Sequence, residues 1–178
     1  MNVVNQKMYR SVSDAVWNHN SRDILDIGFG NGYLEQRLSK GSNVTIRGID
    51  ISEDMLASAA KRNQVAVKQG RVLLSLGDCC QLEFPDGMFD AVTSVNTIYF
   101  WSDPVKGLCE IKRVLKGQGI FVNAVYSQEW LKKLSYTKQG FQFFSKEDYI
   151  SDGKKAGFSD VTIEEIVSGK IYLIKYTK

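Results

Sequence analysis

The stretch DILDIGFGNG, residues 23–32, decides how the chain is read. Ile24, Leu25 and Ile27 form a short apolar run that ends in Gly28, Gly30 and Gly32. Such a run suits a strand covered on both faces. The glycines then leave bare main chain at its tip. Where a helix opens at that point, its first N–H groups lack intrahelical partners, and glycine lets a ligand approach them. YLEQRLSKG supplies the helix, with Leu34 and Leu38 four apart and Gly41 expected at the C′ position.

The glycine spacing narrows the ligand. A dinucleotide fingerprint, GxGxxG, needs its third glycine where this chain has Tyr33. No Gly-Lys-Ser/Thr follows, which excludes a P-loop. Asp50, at the end of IRGID, stands where a carboxylate accepts hydrogen bonds from ribose hydroxyls. A second acid, Asp78, ends SLGD and is placed to reach an adenine amino group.

Outward from this loop, strands and helices alternate. Residues 4–18 carry Val4, Met8, Val12, Ala15 and Val16 at helical spacing. VTIRGID, RVLLSLGD, FDAVTSVN and GIFVNAVY read as strands. SEDMLASAAKRN starts on Ser52 as N-cap, and DPVKGLCEIKRVLKG on Asp103 with Pro104 at the first helical position. Val105, Leu108, Ile111 and Leu115 are expected to form the apolar face of the latter. SKEDYISDGKKAGF is a further helix, led in by Ser145 and Glu147. The pattern predicts an α/β fold, a parallel sheet covered on both faces. VTIEEIV and KIYLIKYT are expected to close it as a hairpin, adding an antiparallel strand at one edge.

The chain has 178 residues, 43% hydrophobic and 24% charged, which fits one globular domain over 1–178. Residues 1–18 form its N-terminal helix and 127–144 a substrate-side insertion after the fifth strand. No apolar run reaches membrane-spanning length and the N-terminus lacks a signal-peptide core, so a cytoplasmic protein is expected. The net charge of +3 is scattered and calls for no nucleic-acid partner. Cys79, Cys80 and Cys109 have no metal-ligand spacing; buried thiols and no metal are expected. His19 lies in the turn before the first strand and is expected to be a capping or solvated residue.

ILDIGFGNG, GIDIS, LGDCC, FPDGMFDAVTSVNTIYFW and EIKRVLKGQGIFV, in that order, resemble the successive motifs of the class I S-adenosylmethionine-dependent methyltransferases of the small bacterial type. The resemblance implies a Rossmann-like, doubly wound seven-stranded sheet whose last strand is antiparallel. It also implies S-adenosylmethionine as cofactor, S-adenosylhomocysteine as product, and methyl transfer to a small-molecule acceptor. Asp26 and the loop of Gly28, Gly30, Asn31 and Gly32 would hold the methionine part. Asp50 would hold the ribose and Ile51 would pack on the adenine. Asp78 and the Cys79 backbone would read its edge, and Asn96 would sit near the sulfonium. Gln118 replaces the proline usual in this family's turn.

No side-chain nucleophile is required, because positioning alone supplies about 7–11 kcal/mol toward such a transfer. Tyr99 is the candidate catalytic residue, through its hydroxyl or its π-face. Tyr99, Trp101, Tyr126 and Trp130 are the candidate acceptor-facing side chains, and Phe100 is read as packing. Asn96-Thr97-Ile98-Tyr99 lacks both prolines of the amino-methylating nucleic-acid enzymes, so a base acceptor is not expected. Two alternatives stay open on the sequence. One is a nucleotide-binding protein without turnover, prompted by the short N-terminal region. The other is an NAD-dependent oxidoreductase with an altered fingerprint.

Overall fold

A computed structural model describes residues 3–41 and 43–178, and the side chains of these except Val3, Val4 and Tyr136. The expected core role of Val4 therefore lies outside the described residues. Helix α1 (Val3–Asn18) leads to β1 (Asp23–Ile27), α2 (Tyr33–Leu38), β2 (Thr45–Asp50), α3 (Glu53–Arg62) and α4 (Gln64–Lys68). Then come β3 (Val72–Leu76), β4 (Phe89–Val95), α5 (Pro104–Val114), β5 (Leu115–Tyr126) and α6 (Gln128–Leu131). Helix α7 (Lys146–Lys155) and the hairpin β6 (Asp160–Val167) and β7 (Ile171–Thr177) end the chain. One seven-stranded sheet has the order β3-β2-β1-β4-β5-β7-β6. Strands β1 to β5 pair in parallel, and β7 is antiparallel to both β5 and β6.

Successive residues of each central strand feed opposite faces. Ile24, Ile46 and Val122 meet Met8, Val12 and Val16 of α1 and Leu34 and Leu38 of α2. Leu25, Val92 and Phe121 meet Leu108, Ile111 and Val114 of α5 and Tyr149 of α7. Each such side chain, fully buried, contributes about 1.5–3 kcal/mol. The strand order reverses between β1 and β4, and ligands of open α/β sheets bind in the crevice beyond the strand ends at such a point.

Four local expectations need correction. The antiparallel strand is not at the edge: β7 inserts between β5 and β6. Its residues 171–174 are all buried, whereas β6 carries Asp160, Thr162, Glu164 and Glu165 on a largely exposed strand, which suits an edge that must resist further pairing. Gly41 is not a left-handed C′ residue, since α2 stops at Leu38 and the Ser39 and Gly41 amides already close onto Glu35 O and Leu38 O. Leu115 begins β5 instead of ending α5, and Val114 takes its place on the helix face. Cys109 is exposed, while Cys79 and Cys80 are buried.

The caps follow the sequence. Ser52 Oγ accepts from Met55 N at 3.3 Å and Asp103 Oδ1 from Lys106 N at 2.9 Å. At α7 the capping box joins Ser145 to Asp148, three residues on, and not to Glu147. His19 bridges Ser21 Oγ, just before β1, and the Gln118 carbonyl in the first part of β5, away from the crevice. Among the described residues no helix is long and apolar enough to cross a membrane.

Candidate functional site

A cavity of about 590 Å³ opens beyond the carboxyl ends of β1, β2 and β4. Its floor is the glycine loop. Gly28 has φ +73°, and a Cβ there would run into the Thr97 methyl from the neighbouring strand end. Gly30, at φ +52°, has nothing within 4 Å of a Cβ position. Its main chain therefore faces open space, and its N–H donates to Asp50 Oδ2 at 2.9 Å. Gly32 instead backs against Ala59 and Asn63 around α3, outside the cavity wall.

Three carboxylates reach the cavity from three strand ends: Asp26, Asp50 and Asp78. Among the described residues lining it there is no lysine, arginine or histidine. The field is therefore negative, suited to a cationic ligand. Asp50 is fixed by two main-chain donors, Gly30 N to Oδ2 and Ser52 N to Oδ1 at 3.0 Å. Each oxygen keeps a lone pair for a ligand hydroxyl. Beside it Ile51 is 78% exposed, an apolar side chain held open at the rim. Asp78 Oδ1 accepts from Cys80 N at 2.8 Å. The Asp78, Cys79 and Cys80 ligand atoms lie within 4.8 Å of one another. Burial, however, pushes the Cys79 thiol well up, opposite to what a thiolate ligand needs.

Asp26 is 2% exposed and accepts from Thr93 Oγ1 at 2.6 Å. Burial pushes its carboxyl up to about 6 from 3.8, with Asp50 adding to the rise and hydrogen bonds from Glu35 and Thr93 opposing it. The folded protein therefore binds more protons than the unfolded chain between these values, and stability falls as pH rises through them. For the ligand-free protein we expect the urea midpoint to drop between about pH 4 and pH 6. Asp26→Asn should flatten that drop, a difference on the order of 2–3 kcal/mol at pH 7. Equal slopes for parent and variant would contradict it.

Eight of the ten expected cofactor positions line the cavity: Asp26, Gly28, Gly30, Asp50, Ile51, Asp78, Cys79 and Asn96. Asn31 and Gly32 do not; the Asn31 side chain points to solvent and its carbonyl accepts from Arg62 Nε at 2.7 Å. Asn96 sits at φ +60°, with its Nδ2 3.2 Å from Met8 Sδ.

The acceptor-side expectations fare differently. Tyr99 is 1% exposed and faces the interior. Its hydroxyl lies 3.3 Å from Asn96 Oδ1 and accepts the Tyr126 amide, so it braces Asn96 and does not line the cavity. Phe100, read as packing, is 54% exposed and does line it. The cause is the 3₁₀ turn Ile98–Phe100, which turns Tyr99 inward and Phe100 out. Trp101 lines the cavity with its indole N–H donating to Thr97 Oγ1 at 3.2 Å. Tyr126 is off the wall, its hydroxyl donating to Asn5 Oδ1 at 2.6 Å and tying β5 to α1. Trp130 is also off it, beneath Lys170 Nζ at 4.3 Å.

Segment 127–144 supports the wall from behind. Gln142 N–H donates to the Tyr99 carbonyl at 3.0 Å and Gln142 Nε2 to the Trp101 carbonyl at 2.6 Å, while the Phe141 ring meets Phe100 edge-on at 4.6 Å. Sequence reasoning missed Tyr9, which brings α1 to the cavity. Its ring lies 4.9 Å from that of Tyr33, and burial beside Asp26 and Glu35 pushes its hydroxyl up to about 12. Helical spacing marks Met8 and Val12 as core but gives no sign that Tyr9, one position round, looks into a site.

A family model described as "Methyltransferase domain" matches residues 25–123. The chain is 37% identical over 142 residues to the uncharacterized methyltransferase YdaC of Bacillus subtilis, covering 79% of this chain and 74% of that protein. It is 32% identical over 161 residues to the chloroplastic 2-methyl-6-phytyl-1,4-hydroquinone methyltransferase of Arabidopsis thaliana. That match takes in 88% of this chain but 46% of the longer relative. A SAM dependent methyltransferase from Aquifex aeolicus has the same fold, with a TM-score of 0.80 at 19% identity over 99% of this chain and 93% of that one.

Proposed function

We propose, since this chain belongs to the S-adenosylmethionine-dependent methyltransferases, that it carries the methyl group of S-adenosylmethionine to a small, non-anionic organic acceptor by in-line displacement. The observation that carries this reading is the wall of the cavity. Carboxylates stand at three strand ends around bare main chain, no basic side chain is among the described lining residues, and an apolar flank of Tyr9, Val95, Phe100 and Trp101 completes it.

S-adenosylmethionine supplies an activated methyl on a sulfonium, so the residues of this chain need only bind, orient and exclude water. Asp50 would accept the ribose hydroxyls with an orientation already set by Gly30 N and Ser52 N. Ile51 would cover one adenine face, and Asp78 with the Cys79 main chain would meet its edge. Asp26 and the loop from Gly28 to Gly30 would take the methionine part. Asn96, braced by Tyr99, would stand beside the sulfonium. On the open flank, the apolar side chains keep water from the reacting atoms, and the acceptor meets no counter-charge for a carboxylate or phosphate.

One relative is named for methylating a hydroquinone, so a substituted phenol ring is the first acceptor class to test. The experiment is transfer of labelled methyl from S-adenosylmethionine to a panel of phenols, neutral amines and carboxylic acids. Turnover is expected with members of the first two groups, and turnover confined to the acids overturns the proposal. Phe100→Ala is expected to raise the acceptor KM about tenfold through the lost apolar contact. Because Trp130 lies off the wall, Trp130→Ala should leave KM at the parental value. The same reading takes residues 1–178 as one domain, with no nucleic-acid partner. It places the chain in the cytoplasm, where cysteines stay unpaired as Cys79, Cys80 and Cys109 are.

A further inference from the structure

Behind the floor of the cavity lies a carboxyl group that none of the roles above uses. Glu35, in the first turn of α2, is 0% exposed. It occupies the buried side of the helix between Leu34 and Leu38, where an aliphatic side chain would be ordinary. Neither of its oxygens meets an N–H or O–H donor of another described residue. A Cβ placed on Gly48 would come within 3.1 Å of Oε1 and 2.9 Å of the Phe29 ring. The carboxyl is therefore clamped between β2 and the glycine loop, away from solvent. Gly48 is the register partner of Asp26 on the neighbouring strand β1, so the Glu35 carboxyl packed over Gly48 lies beside the carboxyl of Asp26, and the two interact. Two carboxyl groups hydrogen-bond only with a proton between them.

We propose that Glu35 is a positioning residue for Asp26: it stays protonated, donates its O–H to the Asp26 carboxylate, and so keeps Asp26 ionised and aimed at the ammonium of the ligand's methionine part. The inference rests on the reading of the cavity as an S-adenosylmethionine site. The charges around Glu35 assign the proton to it. Asp26 from β1 and Asp50 from the end of β2 are both acidic and disfavour a further anion. Tyr9 from α1 also faces the pair and is neutral at physiological pH; Tyr33 and Arg62 act on Tyr9. Burial and the Asp26 charge hold Glu35 well above the usual carboxylate range, whereas the Glu35 hydrogen bond lowers Asp26. In the absence of a cation the pair takes up a second proton near pH 6, on Asp26. An ammonium seated there expels that proton to the buffer.

The test is calorimetric titration with S-adenosylhomocysteine, which carries the ammonium, and with 5′-methylthioadenosine, which lacks it. In parent protein, paired buffers of different ionisation heat should report proton release on binding S-adenosylhomocysteine at pH 5.5–6 and none at pH 8. Methylthioadenosine should release none at either pH. Glu35→Leu removes the donor. It is expected to weaken S-adenosylhomocysteine about tenfold at pH 7, the loss of one charge-assisted hydrogen bond, and to move the acid break in affinity to higher pH. Glu35→Gln keeps a donor and should bind as the parent does. Methylthioadenosine should bind all three proteins alike, which also reports that they are folded. Three results overturn the inference alone: no proton release in the parent, superimposable pH profiles for parent and Glu35→Leu, or equal losses in the Gln and Leu variants. Parent protein that binds neither ligand overturns the reading of the cavity, and this inference with it.

Discussion

Asp50→Ala is expected to lower affinity for S-adenosylhomocysteine by about a hundred- to ten-thousandfold while the protein stays folded. A hydrogen bond to a charged group contributes about 1.5–3 kcal/mol, and the substitution removes two such bonds to the ribose. It also frees main-chain donors. Gly30 N and Ser52 N both donate to this carboxylate, so both amides lose their acceptor, while Gly28 N and Phe29 N still tie the loop to the Ile49 carbonyl of β2. Asp50→Asn separates the two effects. An amide offers one acceptor oxygen where two backbone donors each need one, so one amide is left unpaired or the side chain turns. An intermediate loss is expected. Calorimetric titration of both variants reads the result; an Asp50→Ala protein that binds within threefold of the parent would remove Asp50 from the site.

How far the sequence led depended on whether a signal was local. The glycine loop, the two acids that end β2 and β3, and Asn96 at the end of β4 are set by chain punctuation, where strand gives way to turn. Those positions reach the cavity, with the exception of Asn31 and Gly32, which sit where the loop already turns away toward α3. The hairpin was legible, but the position of its strands was not, because which of β6 and β7 takes the inner place depends on the burial of both faces of each. Of the four acceptor-side candidates Trp101 lines the cavity and Tyr99, Tyr126 and Trp130 do not, for a sharper reason. Tyr99, Phe100 and Trp101 are consecutive aromatics with the same composition signal, and a single 3₁₀ turn decides that Tyr99 is buried and Phe100 is not. Tyr126 ends the fifth strand and Trp130 follows it, on the side where a ligand is expected, yet each is engaged elsewhere, by Asn5 and by Lys170. Within its helical pattern Glu35 is inconspicuous, because an acid in a first turn is ordinary there. Only its complete burial against Asp26 sets it apart.

Gly30→Val is the substitution that best separates the site from the fold. At φ +52° a β-branched residue is strained by about 1–2 kcal/mol. For a chain of this length that corresponds to a fall of roughly 2–8 °C in Tm. Nothing lies within 4 Å of the new Cβ, so in the ligand-free protein the side chain meets no neighbour there and the fold survives. Gly28→Val is the contrasting case: its Cβ runs into Thr97, which itself holds the Trp101 indole, and stability should be lost whatever the ligand does. In Gly30→Val the open space is the approach path to the main chain, and the valine methyls fill it. Binding of S-adenosylhomocysteine is expected to fall below detection, with a circular dichroism spectrum like the parent's and only the modest Tm shift. A folded Gly30→Val protein that binds S-adenosylhomocysteine with parental affinity would mean that the ligand does not approach this loop. The negative cavity beyond β1 and β4 would then need another occupant.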